Sequence, residues 1–209
     1  MELIYLFLKG LGIGLAVAAP VGPVGVLCIR RAVSDGRLAA ISSGLGAALA
    51  DAFYGGVAAF GLTAVSAFLV EYQKVASAVG GVFLLWLAWR ILRSGGEGGG
   101  TRLGSGIRSN WSAFMTTFAL TMTNPATVLS FAAIFAGIGF VGTGGGGAGA
   151  ILLVSGVFLG STLWWLFLAF AATALQKRLG DRFSILVNAT SAAIIGLFGV
   201  AALVSLLFQ

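Results

Sequence analysis

Asp51 is the single acidic residue inside a long apolar run of this chain. It lies about thirteen residues into the run Leu38 to Val70, so in a helix it sits about 20 Å from the end nearer Arg37. A carboxylate at such depth in a bilayer costs about 2.5 to 3.5 kcal/mol on insertion scales, and acids retained there characteristically face a polar pathway. No Lys or Arg is expected at similar depth to neutralise it. Such an unpaired carboxylate suits a cationic amine, a metal ion or a transported proton. The other open reading is a protonated or hydrogen-bonded acid that ties two helices together.

The second group is Pro20-Val21-Gly22-Pro23-Val24, and the third is Asn124-Pro125. A proline inside a helix removes one donor and frees the carbonyl four residues earlier, and in hydrocarbon that group must find another partner or line a cavity. Both breaks lie within apolar runs, at distances from the basic flanks that reach the middle of a bilayer. A lone proline reads as a structural kink. Two equivalent breaks read as the discontinuous helices that frame transport sites.

The elements that carry these residues follow from composition. The 209 residues are 59% hydrophobic and 9% charged, with a mean hydropathy of +1.06. Soluble domains carry roughly a quarter charged residues, so this is an integral membrane protein. Its 33 glycines are scattered among Leu, Val, Ala and Phe, as in membrane helices. One cysteine and no histidine remove thiol exchange, Cys or His metal clusters, haem ligation and His-dependent catalysis. The net charge of +6 comes without a basic helix, which speaks against nucleic acid. No cofactor is expected.

A span needs about 20 apolar residues, and six runs qualify: Leu3 to Ile29, Leu38 to Val70, Val75 to Trp89, Trp111 to Val141, Ala148 to Leu175 and Phe183 to Phe208. The second is too long for one upright span, so it tilts, bends or projects. Residues 94–110 read as a flexible hydrophilic loop, and Gly142 to Gly147 as a short uncharged one. Ala16-Val17-Ala18 resembles a leader-cleavage site, but Lys9 interrupts the supposed apolar core, no basic residue precedes it, and the apolar run resumes to Cys28.

Ten of the twelve Lys and Arg fall in odd-numbered loops, Arg30, Arg31 and Arg37 among them, against Lys9 and Lys74 opposite. The positive-inside rule makes those loops cytoplasmic and places both termini outside. Three spans on each side of the central loop can be related only if the halves are inverted. Pro20 then aligns with Pro125, Gly46 with Gly156, Asp51 with Ser161 and Tyr54 with Trp164. The expected fold is an all-α polytopic membrane protein of six transmembrane helices. It forms one transporter domain over residues 1–209, built as inverted three-helix repeats, residues 1–93 and 111–209, with helices 1 and 4 broken. Gly10-x-x-x-Gly14 and Gly156-x-x-x-Gly160 are expected to permit close helix packing within the subunit rather than a dimer seam.

With Ile29-Arg30-Arg31, Gly36, Gly44-Leu45-Gly46, Asp51-Ala52-Phe53-Tyr54-Gly55 and Thr123-Asn124-Pro125-Ala126-Thr127 added to the first proline stretch, the chain resembles the LysE-type amino-acid exporter family over essentially its whole length. The resemblance implies proton- or ion-coupled export of amino acids or related small amines across a bacterial inner membrane. Pro20, Gly22 and Pro23 match the family's first-helix signature, Asp51 its second-helix acid, and Asn124-Pro125 its fourth-helix signature. Two departures matter for specificity. Val21 interrupts the contiguous Pro-Gly-Pro of many members, and Ala126 stands where many have Lys. The expected mechanism is alternating access around a site between helices 1, 2, 4 and 5. There Pro20, Gly22, Pro23, Asn124 and Pro125 offer backbone groups, Asp51 pairs with an ammonium or carries a proton, Ser161 is its counterpart in the second half, and Tyr54 and Trp164 close over the substrate, with packing or lipid anchoring the equal alternative for Trp164 and Trp165. The expected partners are a small-molecule substrate and the lipid bilayer, with proton coupling and a homo-oligomer left open. Alternatives are a divalent metal exporter, for which one carboxylate and Asn124 are few hard ligands, and a non-transporting membrane scaffold or accessory subunit. A membrane enzyme has too few catalytic groups here.

Overall fold

A computed structural model of the protein describes residues 2–20, 22–60, 71–93, 107–124, 127, 130–131 and 146–207. These residues are helical apart from short turns, with no strand among them. The helices are α1 (Glu2–Ala18), α2 (Pro23–Ser34), α3 (Arg37–Ala59), α4 (Gln73–Arg93), α5 (Ile107–Met122), α6 (Gly146–Leu179) and α7 (Asp181–Ser205). Four of them, α3, α4, α6 and α7, are long and apolar enough to cross a membrane singly, and the bent pair of α1 and α2 meets the same measure when taken together, as a broken span or a re-entrant loop. The fourth apolar run of the sequence is represented by α5 and a few residues beyond it. Most of the remainder, Pro125 included, lies outside the described residues, as do most of the central loop and residues 61–70.

The first apolar run is not one helix. α1 stops at Ala18, and α2 begins at Pro23 with its axis turned by 81°. Pro20 disfavours helical geometry in the residue before it, Gly22 takes an extended conformation, and Pro23 occupies the first turn of α2, where its missing N–H costs nothing. The Gly22 amide turns back onto the Pro20 carbonyl (2.9 Å), and the first bond of α2 runs from the Val26 amide to the Gly22 carbonyl (3.1 Å). The amides of Val24 and Gly25 precede that bond and have no place in the helical ladder.

Glycines decide which helices touch. In lipid, apolar side chains gain little by leaving the solvent for a neighbouring helix, so close backbone approach supplies the packing energy. A Cβ built at Gly10 would overlap the Leu153 carbonyl of α6, and one at Gly14 the Val157 carbonyl. Reciprocally, Gly156 is seated on the Phe7 carbonyl of α1 and Gly160 on that of Leu11. The two G-x-x-x-G spacings therefore face one another inside a single subunit. Gly46 of α3 rests on the Phe114 carbonyl of α5, Gly44 on the Trp165 Cβ of α6, and Gly81 and Gly199 oppose each other between α4 and α7. α3 is the enclosed centre, with Ala40, Ala47, Ala48 and Ala50 fully buried. Leu163, Phe167 and Leu197 are exposed on the outer surface, as lipid-facing residues should be. At the last turn of α4, Arg90 and Arg93 lie over Trp86 and Trp89, 5.4 and 4.2 Å from the ring centroids, an arrangement suited to a membrane interface.

Three sequence expectations need correction. α2 continues through Ser34, so Arg30 and Arg31 are helical rather than loop residues, and Arg31 is only 8% exposed. The helix stops where Gly36 takes a φ of +94°, a left-handed geometry that glycine adopts without a Cβ penalty. Setting Arg30 and Arg31 aside leaves eight cations at or near helix ends on that side against two for the orientation argument. The central loop ends earlier than expected, since α5 begins at Ile107. The loop drawn from Gly142 to Gly147 also gives up its last two residues to α6. In both, helical backbone bonding extends beyond the apolar run. α6, at 34 residues, spans about 50 Å. That exceeds the hydrocarbon thickness of about 30 Å, so α6 must tilt or extend beyond it.

Candidate functional site

The break between α1 and α2, the middle of α3, the end of α5 and the middle of α6 converge on one small cavity of about 50 Å³. Pro20, Gly22, Asp51, Thr121, Asn124 and Trp165 are among its walls. Asp51 is 3% exposed. Its Oδ2 accepts a hydrogen bond from Ser161 Oγ at 2.6 Å, and Ser161 Oγ in turn accepts from Trp165 Nε1 at 3.0 Å. The chain of bonds is directional. An indole N–H only donates, so the serine proton is left for the carboxylate. No Lys or Arg among the described residues lies within ion-pair distance of Asp51.

Sequence reasoning had grouped Pro20, Gly22, Asp51, Asn124 and Ser161, and the fold brings these together. Pro23 is buried one residue behind Gly22 and lines a second, larger cavity. Pro125 lies outside the described residues. Ahead of it α5 ends at Met122, and the Thr127 amide bonds back to the Asn124 carbonyl at 3.1 Å. Tyr54 does not reach the cavity wall. Its hydroxyl donates to the Met122 carbonyl at 2.6 Å, and its ring stacks on Phe131, so it satisfies a carbonyl in the terminal turn of α5. Trp164 is also outside the cavity, packed beside Phe167. The tryptophan at the site is Trp165, and periodicity could have found it. Ser161, Trp165 and Ala169 recur at i, i+4 and i+8 on the buried face of α6, whereas Trp164 is rotated about 100° from that face.

Arg31 is the residue the sequence reading missed. Its Nη1 lies within hydrogen-bond distance of Ser43 Oγ on α3 (2.6 Å) and of Thr117 Oγ1 (2.7 Å) and the Ala113 carbonyl (2.9 Å) on α5. Next to it, Arg30 Nε and Ser34 Oγ both donate to Asn188 Oδ1 on α7, at 3.1 and 3.0 Å. α2 is thus clamped to three neighbours on the Arg37 side of the small cavity. The available signal was Ala32-Val33 continuing the apolar pattern beyond the arginine pair, with Asp35-Gly36 as the true stop.

The larger cavity, about 460 Å³, shares Val17, Pro20, Gly22, Asn124 and Thr127 with the small one. It extends away from the arginine clamp towards Ser77 at the start of α4 and Ser205 at the end of α7. The arrangement can hold a cationic group or a proton at Asp51. The helix N-terminus at Val24 and Gly25 stands ready to favour negative charge nearby.

The sequence model of the family described as LysE type translocator matches residues 15–206. The chain is similar to the Escherichia coli (strain K12) protein named "Uncharacterized membrane protein YahN", with 32% identity over 173 residues, 81% of this chain and 76% of the relative. It is also similar to the Bacillus subtilis (strain 168) protein named "Putative amino acid efflux protein YcgF", with 28% identity over 180 residues, 85% of each chain. No solved structure matches. A membrane bundle with a buried acid at a helix break, matched over nearly its full length by one family, belongs to the LysE-type translocators.

Proposed function

We propose that this translocator exports amino acids or closely related small amines by alternating access, with Asp51 as the group that engages the substrate ammonium or the coupling proton. The observation that carries the reading is the Ser161–Asp51 hydrogen bond at the junction of the helix interruptions. It holds the buried carboxylate, which meets no Lys or Arg among the described residues, at the wall of a cavity. The N-terminus of α2 complements a substrate carboxylate.

An inverted repeat is supported by the way equivalent residues pair. Gly46 and Gly156 each rest on a phenylalanine carbonyl of the opposite half's first helix, Phe114 and Phe7, with the amide four residues on close by. Gly81 and Gly199 oppose each other. Asp51 and Ser161, aligned by the repeat, bond to one another. With the basic loops cytoplasmic and both termini outside the inner membrane, the larger cavity opens outward and the Arg31 clamp closes the cytoplasmic side. This is the arrangement of a release state. Access from the cytoplasm then requires α2 to swing and the clamp to part.

The test is efflux or counterflow in proteoliposomes for Asp51→Asn and Asp51→Glu, alongside thermal stability in detergent. The Asn variant keeps an oxygen for the Ser161 hydroxyl while losing the charge. We expect transport to be lost in a folded protein at least as stable as the parent, since removing a charge at this depth relieves about 2.5 to 3.5 kcal/mol. Near-normal counterflow by Asp51→Asn would remove Asp51 from the mechanism.

A further inference from the structure

We infer that the 460 Å³ cavity beside the Asp51 pocket is the side-chain subsite, and that it selects neutral amino acids with large apolar side chains over basic or acidic ones. The inference rests on the transport reading above and names the substrate class of that site. Size divides the work between the two spaces. The small cavity, about 50 Å³, accommodates a few water-sized groups. An ammonium and its α-carbon fit there; a leucine or phenylalanine side chain does not. Anything larger must extend past the residues the two cavities share, Pro20, Gly22 and Asn124 among them, into the larger space.

The walls of that space define what it accepts. Leu84, Leu120 and Phe198 supply apolar surface, and Ser77, Thr123 and Ser205 supply hydroxyls, with no Asp, Glu, Lys or Arg among its described lining residues. The hydroxyl of Thr123 is already committed to the Ala119 carbonyl at 2.9 Å. A lysine side chain would therefore bring its ammonium into an uncharged space with no carboxylate to meet it, and a glutamate would do so without a cation. Insertion-scale costs for a charge at this depth correspond to a discrimination on the order of a hundredfold. Backbone proximity gives the cavity its shape: a Cβ at Gly80 would come within 3.2 Å of Thr123 Oγ1, so that wall is already closely packed.

The experiment uses the full chain, purified and in proteoliposomes, with leucine, phenylalanine, methionine, alanine, lysine and glutamate compared in counterflow and in thermal stabilisation. The expected order places leucine, methionine and phenylalanine first, with lysine and glutamate lower by on the order of a hundredfold. A second variant, Ala201→Phe, fills the cavity from the α7 side, and should lower phenylalanine by about tenfold while leaving alanine little changed. Lysine or glutamate moving as well as leucine overturns the subsite assignment and leaves the exporter reading standing. An Ala201→Phe profile identical to the parent's overturns it too, as expected if lipid occupies the space. Failure of every amino acid to bind or move would defeat the exporter reading itself, and the subsite with it.

Discussion

Substituting Gly14 by valine should couple stability to transport through a single seam. The Gly14 Cα faces α6 so closely that a Cβ there would overlap the Val157 carbonyl and come within 2.9 Å of the Ser161 amide. Both neighbours are backbone, so neither can rotate away, and α1 and α6 must part by roughly 1 Å to restore ordinary contact. A gap of that size forfeits up to about half of the dispersion well for contacts along the seam, and overpacking in a filled interior costs about 1 to 3 kcal/mol. Helix propensity offsets a few tenths of this, because glycine is itself a poor helix former. The displaced turn also carries Ser161, whose 2.6 Å bond to Asp51 is of the charged class that contributes about 1.5 to 3 kcal/mol. The expected net loss is about 2 to 4 kcal/mol, a fall in Tm of about 5 to 15 °C for a chain this long, with efflux reduced in the protein that remains folded. Gly12→Val is the control, since the space at Gly12 is open and an exposed change there should stay within about 0.5 kcal/mol. Thermal unfolding followed by tryptophan fluorescence and size-exclusion chromatography measures both variants. Equal Tm values for the two, or a Gly14→Val protein with unchanged Tm but altered oligomeric state, would refute the intrasubunit seam.

Two further outcomes are expected. Arg31→Met preserves length while removing a buried cation, and Ser43 and Thr117 retain their bonds to the Ala39 and Ala113 carbonyls. The fold should therefore survive with stability equal or higher, while Cys28, fully buried one turn away, becomes reactive to a permeant maleimide. Continued protection of Cys28 together with unchanged efflux would mean that the clamp is not a closure. Cysteines at Gly147 and Lys177, near opposite ends of α6 and both exposed, should label from opposite sides in intact cells, Gly147 alone reacting with an impermeant reagent added outside. The reverse pattern inverts the membrane orientation.

The amino-acid sequence by itself determined the membrane class, the break at Pro20 to Pro23, the place of Asp51 midway along an apolar helix and the glycine spacings of α1 and α6, because each follows from local rules. Apolar length sets a span, proline removes a donor, and helical rise converts residue number into depth. The helix limits around Arg31, Ile107 and Gly146 were less legible, since helical backbone runs on past the last apolar residue and a charged side chain looks like a loop until its partners are known. Which tryptophan joins the site depended on the rotation of α6 about its axis. That rotation is set by where Gly156 and Gly160 seat on α1, a contact between residues roughly 150 positions apart in sequence. The Ser161–Asp51 bond and the adjoining cavities are of the same kind. No local propensity specifies them, because they arise only when close-packed glycine seams bring α1, α3, α5 and α6 to one point.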